Sequence, residues 1–218
     1  MRRVASRALR LVVPPLLLVP LDRWRALRHA KDATNGLPFD GAGQLWVALV
    51  HSIERYAEWG VGESTEFVLR STSCRVRAVD TSAEWLERTV GLRNSDPRVN
   101  GIHVDLGPVE KWGRPTSYRH QHRINDYLIG PFDEHFDPEA VLVDGRFRVA
   151  CFLSALLHGS PGMLIVFDDY VPRERYHIVE RVLAPVARSG RQAVFVRPEA
   201  IDVSAVKDLL VDFKHVMD

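Results

Sequence analysis

The chain contains 218 residues, of which 46% are hydrophobic and 26% are charged, a composition typical of a globular protein with one sizeable core. Its formal net charge is +1, so no overall positive field recruits nucleic acid, and we expect no nucleic-acid partner. The two cysteines, Cys74 and Cys151, lie in apolar stretches without metal-ligand spacing, which is typical of buried thiols in a reducing, cytoplasmic compartment.

The N-terminal segment departs from this composition. Arginines crowd residues 2–10, an apolar run follows over residues 11–21, and a second basic run covers residues 22–28. The apolar run is too short to span a bilayer and contains prolines. We therefore expect an arm over residues 1–40 that packs on the domain, contacts a membrane surface through residues 1–28, or acts as a signal segment.

A glycine turn follows the first predicted strand. Residues 41–55 have the apolar spacing of an amphipathic helix, and residues 56–59 are predicted as a short strand that ends at Gly60 and Gly62. Because they have no side chains, these two glycines let a ligand approach the backbone where the next helix begins.

The residues around this turn distinguish between two classes of ligand. Glu58, two residues before the first glycine, would repel the pyrophosphate of a dinucleotide but attract an ammonium group or the hydroxyls of a ribose. Thr65 occupies the position of the third glycine in G-x-G-x-x-G, and Ser64 or Thr65 is expected to cap the next helix. The pattern therefore disfavours a dinucleotide.

The next two predicted strands each end in an aspartate. Residues 74–79 form a strand that ends at Asp80, and residues 100–105 form another that ends at Asp105. Between them, the four residues from Thr81 to Glu84 have the spacing of a capping box, so a helix is expected directly after Asp80. Asp80 is placed either to accept both hydroxyls of a ribose or to cap this helix.

Residues 106–138 lack a clear periodicity and are rich in glycine and proline. A stretch of this length is too long for a plain connection, so we expect a lid or substrate loop that contains a helix over residues 118–128. His120 and His122 lie within it, either as candidate general bases or as part of a solvated helix face.

The C-terminal part of the chain continues the alternation of strands and helices. The predicted elements are a strand over residues 140–144, a helix over 149–158, a strand over 162–169, a helix over 176–183, a strand over 192–196 and a helix over 203–217.

Five strands in a row end in acidic residues. These residues are Glu58, Asp80, Asp105, Asp144 and the pair Asp168 and Asp169. Right-handed crossovers place such strand ends at one rim of a parallel sheet. Because buried carboxylates destabilise a fold unless they are paired or liganded, the clustering predicts a polar ligand site. The predicted fold class is α/β: a single domain over residues 41–218 with a doubly wound, Rossmann-like, mostly parallel sheet and helices on both faces.

The motifs at these strand ends resemble those of class I S-adenosylmethionine (SAM)-dependent methyltransferases. They are E-x-G-x-G over residues 58–62, V-L-V-D-G-R-F-R over residues 141–148 and L-I-V-F-D-D-Y over residues 164–170. The chain is most similar to a little-characterised bacterial group within that family. Its acids also resemble those of catechol-type and macrocin-type O-methyltransferases.

The resemblance implies SAM as the cofactor and assigns five residues to it. Glu58, Gly60 and Gly62 would hold the methionine part of SAM. Asp80 would bind the ribose, and Asp105 would contact the adenine.

The resemblance also implies a metal site next to the methyl acceptor. Asp144, Asp168 and Asp169 would hold a Mg²⁺ ion, a hard cation that prefers oxygen ligands. Asp144 and Asp168 are then the candidate catalytic residues. The candidate substrate contacts are Arg146, Arg148 and Tyr170. Alternatively, the two arginines neutralise Asp144 by ion pairing, with no cation.

The function predicted from these residues is SAM-dependent methyl transfer to the hydroxyl of a sugar or another small molecule. Assistance by Mg²⁺ is an option that the resemblance leaves open. The proton of the hydroxyl would pass to Asp144, Asp168 or a histidine within residues 103–122. Two alternatives stay open: a SAM-fold module that binds a ligand without catalysis, and an NAD-linked oxidoreductase, which shares the glycine turn but leaves the Asp168–Asp169 pair unexplained.

Overall fold

The computed structural model describes residues 38–41, 43–91 and 96–218. Most of the predicted arm over residues 1–40, including the segment expected at a membrane surface, lies outside these ranges. Among the helices within them, none is both long enough and apolar enough to cross a bilayer.

Within the described residues, seven strands form one sheet and two short strands form a separate hairpin. The sheet consists of β1 (Arg55–Trp59), β2 (Arg75–Asp80), β3 (Val99–His103), β6 (Ala140–Val143), β7 (Leu164–Phe167), β8 (Ala187–Ser189) and β9 (Gln192–Val196), and the hairpin of β4 (Val109–Glu110) and β5 (Arg114–Pro115). The order in the sheet is β3-β2-β1-β6-β7-β9-β8. Pairing is parallel from β3 to β7, whereas β9 runs antiparallel to both β7 and β8.

Helices connect these strands. The α-helices of the described residues are α1 (Gln44–Val50), α2 (Glu63–Ser71), α3 (Ala83–Thr89), α4 (Ile124–Ile129), α5 (Arg148–His158) and α6 (Val203–Phe213). The 3₁₀ helices are Phe39–Gly41, Lys111–Gly113, Gln121–Arg123 and Glu174–Arg181.

The predicted doubly wound, Rossmann-like sheet is confirmed. Successive side chains of a strand point to opposite faces of the sheet, and both faces of β1 are covered. Tyr56 packs on Trp46 of α1, with ring centroids 6.1 Å apart. Trp59, on the other face, belongs to the same core cluster as Phe152 of α5. Burial on both faces explains why the central strands are almost entirely apolar.

The structure corrects several predicted elements. The helix expected over residues 41–55 is limited to α1, and the one expected over 176–183 is a 3₁₀ helix that ends before Pro185, a residue that disfavours helix at the preceding position. The helix expected over 118–128 is divided into a 3₁₀ turn and α4. Strand β8 was not predicted, because only one of its three residues is apolar.

Two glycines bring β1 and β6 into contact at the centre of the sheet. Gly60 has a φ of 94°, and a Cβ there would lie 2.8 Å from the Gly145 backbone nitrogen. A Cβ on Gly145 would lie 2.9 Å from the Gly60 nitrogen. Both positions therefore require glycine. The strand order reverses between β1 and β6, which is where doubly wound sheets open a ligand crevice.

Candidate functional site

A cavity of about 620 Å³ lies in this crevice, at the carboxyl ends of β1, β2, β6 and β7. One side, the β1–β2 half, is lined by the turn over residues 60–64 and by Asp80. The other side, the β6–β7 half, is lined by residues that include Asp144 and Asp169. The structure thus brings three of the five acidic strand ends to one cavity.

The glycine turn presents its backbone to the cavity in a fixed shape. The Val61 N–H donates to Asp80 Oδ2 at 2.8 Å, and the Gly62 N–H donates to the Thr65 hydroxyl at 3.0 Å. Apart from its own chain neighbours, no atom lies within 4 Å of the point where a Cβ on Gly62 would stand. The turn is therefore an open cradle that fits a ligand approaching the backbone.

Glu58 lies behind this turn and does not line the cavity. Its carboxylate accepts hydrogen bonds from three hydroxyls, those of Tyr56 (3.0 Å), Ser64 (2.8 Å) and Thr65 (2.5 Å). Burial raises its pKa to about 7, although these hydrogen bonds act in the opposite direction. Because Thr65 also accepts from Gly62, Glu58 orders the turn from within. The sequence analysis expected Glu58 to bind a ligand directly, but its side chain is not at the cavity wall.

Asp80 lines the cavity and joins the turn to the helix that follows β2. Its Oδ1 accepts from the Ser82 N–H at 2.7 Å, and its Oδ2 holds the turn through Val61. Burial raises its pKa, against the effect of these backbone hydrogen bonds. The residue that caps α3 is Ser82, which accepts from the Trp85 N–H, one position later than the predicted capping box.

A tryptophan pair borders the β1–β2 half. Trp85 of α3 and Trp112 of the β4–β5 hairpin line the cavity, with ring centroids 6.4 Å apart and planes inclined by only 10°. Trp112 is 63% exposed and has a φ of 65°, a conformation that is costly for a bulky residue. The Thr81 hydroxyl fastens the hairpin by donating to the Gly113 carbonyl. Within the predicted lid over residues 106–138, only Trp112 and Tyr127 among the described residues line the cavity.

Asp105 is not among the residues that line the cavity. Its carboxylate is half exposed, accepts from the Gly107 N–H at 2.8 Å and lies 3.5 Å from His120 Nδ1. The Gly107 hydrogen bond lowers its pKa. His120 and His122 are also outside the cavity lining, so the structure brings neither the predicted adenine contact nor these candidate bases to the ligand crevice.

The three acids of the predicted metal site do lie together in the β6–β7 half. One carboxylate oxygen from each of Asp144, Asp168 and Asp169 lies within 4.8 Å of the others. Asp144 is a quarter exposed at the cavity wall. Desolvation, together with the two neighbouring acids, raises its pKa to about 7 despite the opposing charge of Arg148.

Arginines accompany these acids. Arg191 forms a two-point ion pair with the fully buried Asp168, with Nη2–Oδ2 and Nε–Oδ1 distances of 2.7 and 3.0 Å. Arg173 lies 2.7 Å from Asp169, and Arg148 lies 2.8 Å from Asp144. Three guanidinium groups therefore balance three carboxylates, and the donor set fits Mg²⁺ poorly because the negative charge that would attract the ion is already neutralised.

The remaining predicted substrate contacts occupy different places. Arg146 lines the cavity and donates to the Asp218 carbonyl oxygen at 2.7 Å. Tyr170 is fully buried, and its hydroxyl donates to Glu180. It does not line the cavity.

Sequence reasoning missed several residues that line the cavity, among them Phe39, Asp40, Tyr127 and Arg191. Arg191 lies in the turn between β8 and β9, with its guanidinium 5.3 Å from the Phe39 ring and 3.6 Å from Asp40. Its contacts depend on a hairpin that was not predicted. The Ser189-Gly190 dipeptide, a turn signal, was the one feature that could have led to it.

No family model matches the chain, and no curated protein matches it. Among solved structures, it is similar to a methyltransferase-like protein from Silicibacter pomeroyi, with 29% identity, a TM-score of 0.65, and coverage of 92% of this chain and 97% of that chain. The similarity extends over nearly the whole of both chains. The fold is therefore the Rossmann-like fold of methyltransferases.

Two further solved structures are more distant. An RNA methyltransferase from Salinibacter ruber in complex with S-adenosyl-L-homocysteine is 14% identical, with a TM-score of 0.45 and coverage of 76% of this chain and 95% of that chain. An O-methyltransferase from Bacillus cereus, in complex with the same compound, is 14% identical, with a TM-score of 0.42 and coverage of 88% and 79%.

Proposed function

We propose that the chain is a SAM-dependent methyltransferase that methylates a hydroxyl of a sugar or another small molecule. The observation that carries the proposal is the open cradle at Gly62, at the point of the sheet where the strand order reverses. The similarity to a methyltransferase-like protein supports it.

The β1–β2 half supports binding of SAM through backbone and carboxylate. Gly60 and Gly62 leave the turn open to the methionine part, while Glu58 keeps the turn in shape from behind. Asp80 lies at the end of β2, where a ribose is held in doubly wound sheets. The contact between Asp105 and the adenine stays a prediction. The Asp105 side chain does not line the cavity.

When bound, SAM supplies a sulfonium methyl group, whose carbon–sulfur bond breaks as the new carbon–oxygen bond forms. The chain has to align donor and acceptor and to limit access of water. The hydroxyl proton needs an acceptor, and Asp144, which lines the cavity, is the most exposed carboxylate of the acid cluster, at 26% against 17% for Asp169. Asp168, the other predicted catalytic residue, is fully buried and is placed to support that centre.

The acceptor is proposed to be a hydroxyl compound on the strength of the O-methyltransferase resemblance. Arg146 at the cavity wall supports a polar acceptor. Magnesium assistance, which the same resemblance implies, stays a prediction that metal titration tests, and the ion pairs of the acid cluster favour a site without the ion.

Calorimetric titration of the full chain with SAM, S-adenosylhomocysteine and NAD tests the cofactor assignment. We expect saturable binding of the first two and none of NAD. Asp80→Asn should weaken SAM binding about tenfold or more, since it loses a charge-assisted hydrogen bond to the turn. Asp126→Asn, at an exposed position, serves as the matched control. Binding of NAD alone would favour an oxidoreductase, and binding of none would favour a module without this chemistry.

Formation of S-adenosylhomocysteine in the presence of hydroxyl compounds tests the acceptor class. We expect turnover with sugars or small alcohols and little with matched amines. Turnover with amines alone would show that the O-methylation proposal is wrong while leaving the cofactor assignment intact.

A further inference from the structure

Arg148 stands at the centre of the β6–β7 half. It is the first residue of α5, and its side chain is only 5% exposed. Its guanidinium donates four hydrogen bonds, three to the carbonyl oxygens of Gly145, Asp144 and Asp168 at 3.0–3.1 Å and one to the Asp169 carboxylate at 3.3 Å. Its Nη2 also lies 2.8 Å from Asp144 Oδ1, in an ion pair. One side chain therefore ties the end of β6 to the end of β7.

The backbone holds this side chain in place. Phe147, directly before it, is fully buried and has a left-handed φ of 56°, which starts α5 abruptly after β6. The Arg148 N–H donates to an Asp218 carboxylate oxygen at 2.8 Å. A guanidinium fixed at so many points cannot swing out of the cluster without breaking several hydrogen bonds.

The charge of the cluster is already balanced without a metal. Asp168 is held by Arg191 and Gln192, and Asp169 by Arg148, Arg173 and Arg191. A divalent cation among the three acids would stand beside three guanidinium groups, which repel it. Its binding would also draw the carboxylates away from the buried Arg148 and leave that guanidinium without counter-charge, which is costly.

We propose that the Arg148 guanidinium takes the place that a divalent cation would occupy between Asp144 and Asp169, so that this centre binds no metal ion. The role of Asp144 toward a methyl acceptor rests on the proposed methyl transfer. The absence of metal affinity does not rest on that function, because metal binding is measured separately from SAM binding.

A guanidinium group in place of a divalent cation changes the chemistry that this centre can perform. A guanidinium keeps its charge at every pH at which the protein is folded, and unlike Mg²⁺ it cannot exchange with the solution. Because its guanidinium donates to four acceptors and its Nη2 faces Asp144 Oδ1, Arg148 is already engaged and is not the group that binds the acceptor oxygen. It is a positioning residue: it holds Asp144 Oδ1 and leaves Oδ2, which has no hydrogen-bond donor among the described residues, for the acceptor.

The decisive test is titration of the full-length wild-type chain with MnCl₂ and with MgCl₂. Binding is measured by calorimetry and, for manganese, also by electron paramagnetic resonance. We expect no saturable site at millimolar metal, and the same SAM affinity with and without EDTA. A single saturable site that Asp144→Asn or Asp169→Asn removes would overturn the proposal. The expected result is measured on the wild-type chain, and the two variants are needed only to locate a site if one is found.

Arg148→Met tests whether Arg148 is what excludes the ion. Removing the guanidinium leaves Asp144 and Asp169 short of positive charge, so we expect Mn²⁺ affinity to rise at least about tenfold. Arg188→Met, which removes an exposed arginine paired with Glu180, should leave the affinity unchanged, and Arg148→Lys should restore the exclusion. An Arg148→Met protein with native circular dichroism and no gain of Mn²⁺ affinity would overturn the assignment to Arg148.

Discussion

The two halves of the cavity stabilise carboxylates in different ways. Each half contains carboxylates that the fold removes from bulk water. In the β1–β2 half, Glu58 and Asp80 receive hydrogen bonds from hydroxyls and backbone N–H groups, and burial raises the pKa of both. In the β6–β7 half, Asp168 and Asp169 face arginines.

This difference teaches what each half can tolerate. A carboxylate held by neutral donors can take up a proton while most of its surroundings stay in place, so the β1–β2 half depends on the shape of its backbone. Carboxylates paired with guanidinium groups depend on charge, because the loss of one partner leaves the other uncompensated. The substitutions below probe shape in the first half and charge in the second.

The largest effect is expected for Gly60→Ala, which changes shape alone. The new methyl group would lie within 2.9 Å of the backbone of Asp144 and Gly145, at a φ of 94°. We expect a loss of about 4 kcal/mol of unfolding free energy, measured by urea denaturation. Gly62→Ala is the matched control: its Cβ meets no atom within 4 Å, so stability should stay while SAM affinity falls. Equal stability of the two variants would refute the argument from shape.

Arg191→Met tests charge in the other half. It leaves the fully buried Asp168 without its two-point partner, and we expect a destabilisation of about 3 kcal/mol. For comparison, Arg188→Met removes an arginine that is half exposed and should cost less than about 0.5 kcal/mol. Thermal and urea unfolding of both proteins gives the contrast. Similar losses for the two variants would mean that burial of the pair contributes little.

The titration of Glu58 gives a third, smaller effect. Its pKa is raised from 4.5 to about 7 in the folded chain, so the folded state binds the proton more tightly than the unfolded state. Its contribution is therefore fully present below pH 4.5 and is lost as pH rises through 7. Relative to Glu58→Gln, the wild type should lose about 2 kcal/mol of stability between pH 5 and pH 7. A constant difference over this range would contradict the neutral-donor description of this half.

The smallest effect is expected at the edge of the β1–β2 half. Trp112→Ala removes one ring of the stacked pair at the cavity, and loss of a single aromatic contact corresponds to about 1 kcal/mol, or roughly fivefold in SAM affinity. Stability should hardly change because the side chain is mostly exposed. Trp112→Phe should keep most of the affinity. Calorimetric affinities identical to wild type for both would place the ligand away from this pair.

The sequence was sufficient to predict the central part of the fold, because residues that are neighbours in the chain determine its strands and turns. Apolar runs such as residues 140–143 end in single acids, and Gly60 marks a turn that no other residue can form. The edge of the sheet could not be predicted in this way. Strand β8 forms because it pairs with β9. The amino-acid composition of the two segments does not reveal this pairing.

The site was harder to predict, because sequence position says which strand end a residue follows but not what faces it. Asp80, Asp144 and Asp169 reach the cavity as expected. Glu58 does not, because three nearby hydroxyls hold it behind the turn. The arginine that pairs with Asp168 is 23 residues away in the chain, so no motif connects the two.

The tryptophan pair has a practical consequence. Trp46 and Trp59 are fully buried, whereas Trp112 is 63% exposed beside the cavity. A ligand that displaces water from this ring will shift its fluorescence to shorter wavelength and protect it from iodide quenching. Trp85, which also lines the cavity, contributes to the same signal, whereas the buried Trp46 and Trp59 do not. In a Trp24→Phe background, which removes the tryptophan outside the described residues, the intrinsic fluorescence thus reports occupancy of the β1–β2 half. Methyl donors and their analogues can be ranked with it before any methyl acceptor is known.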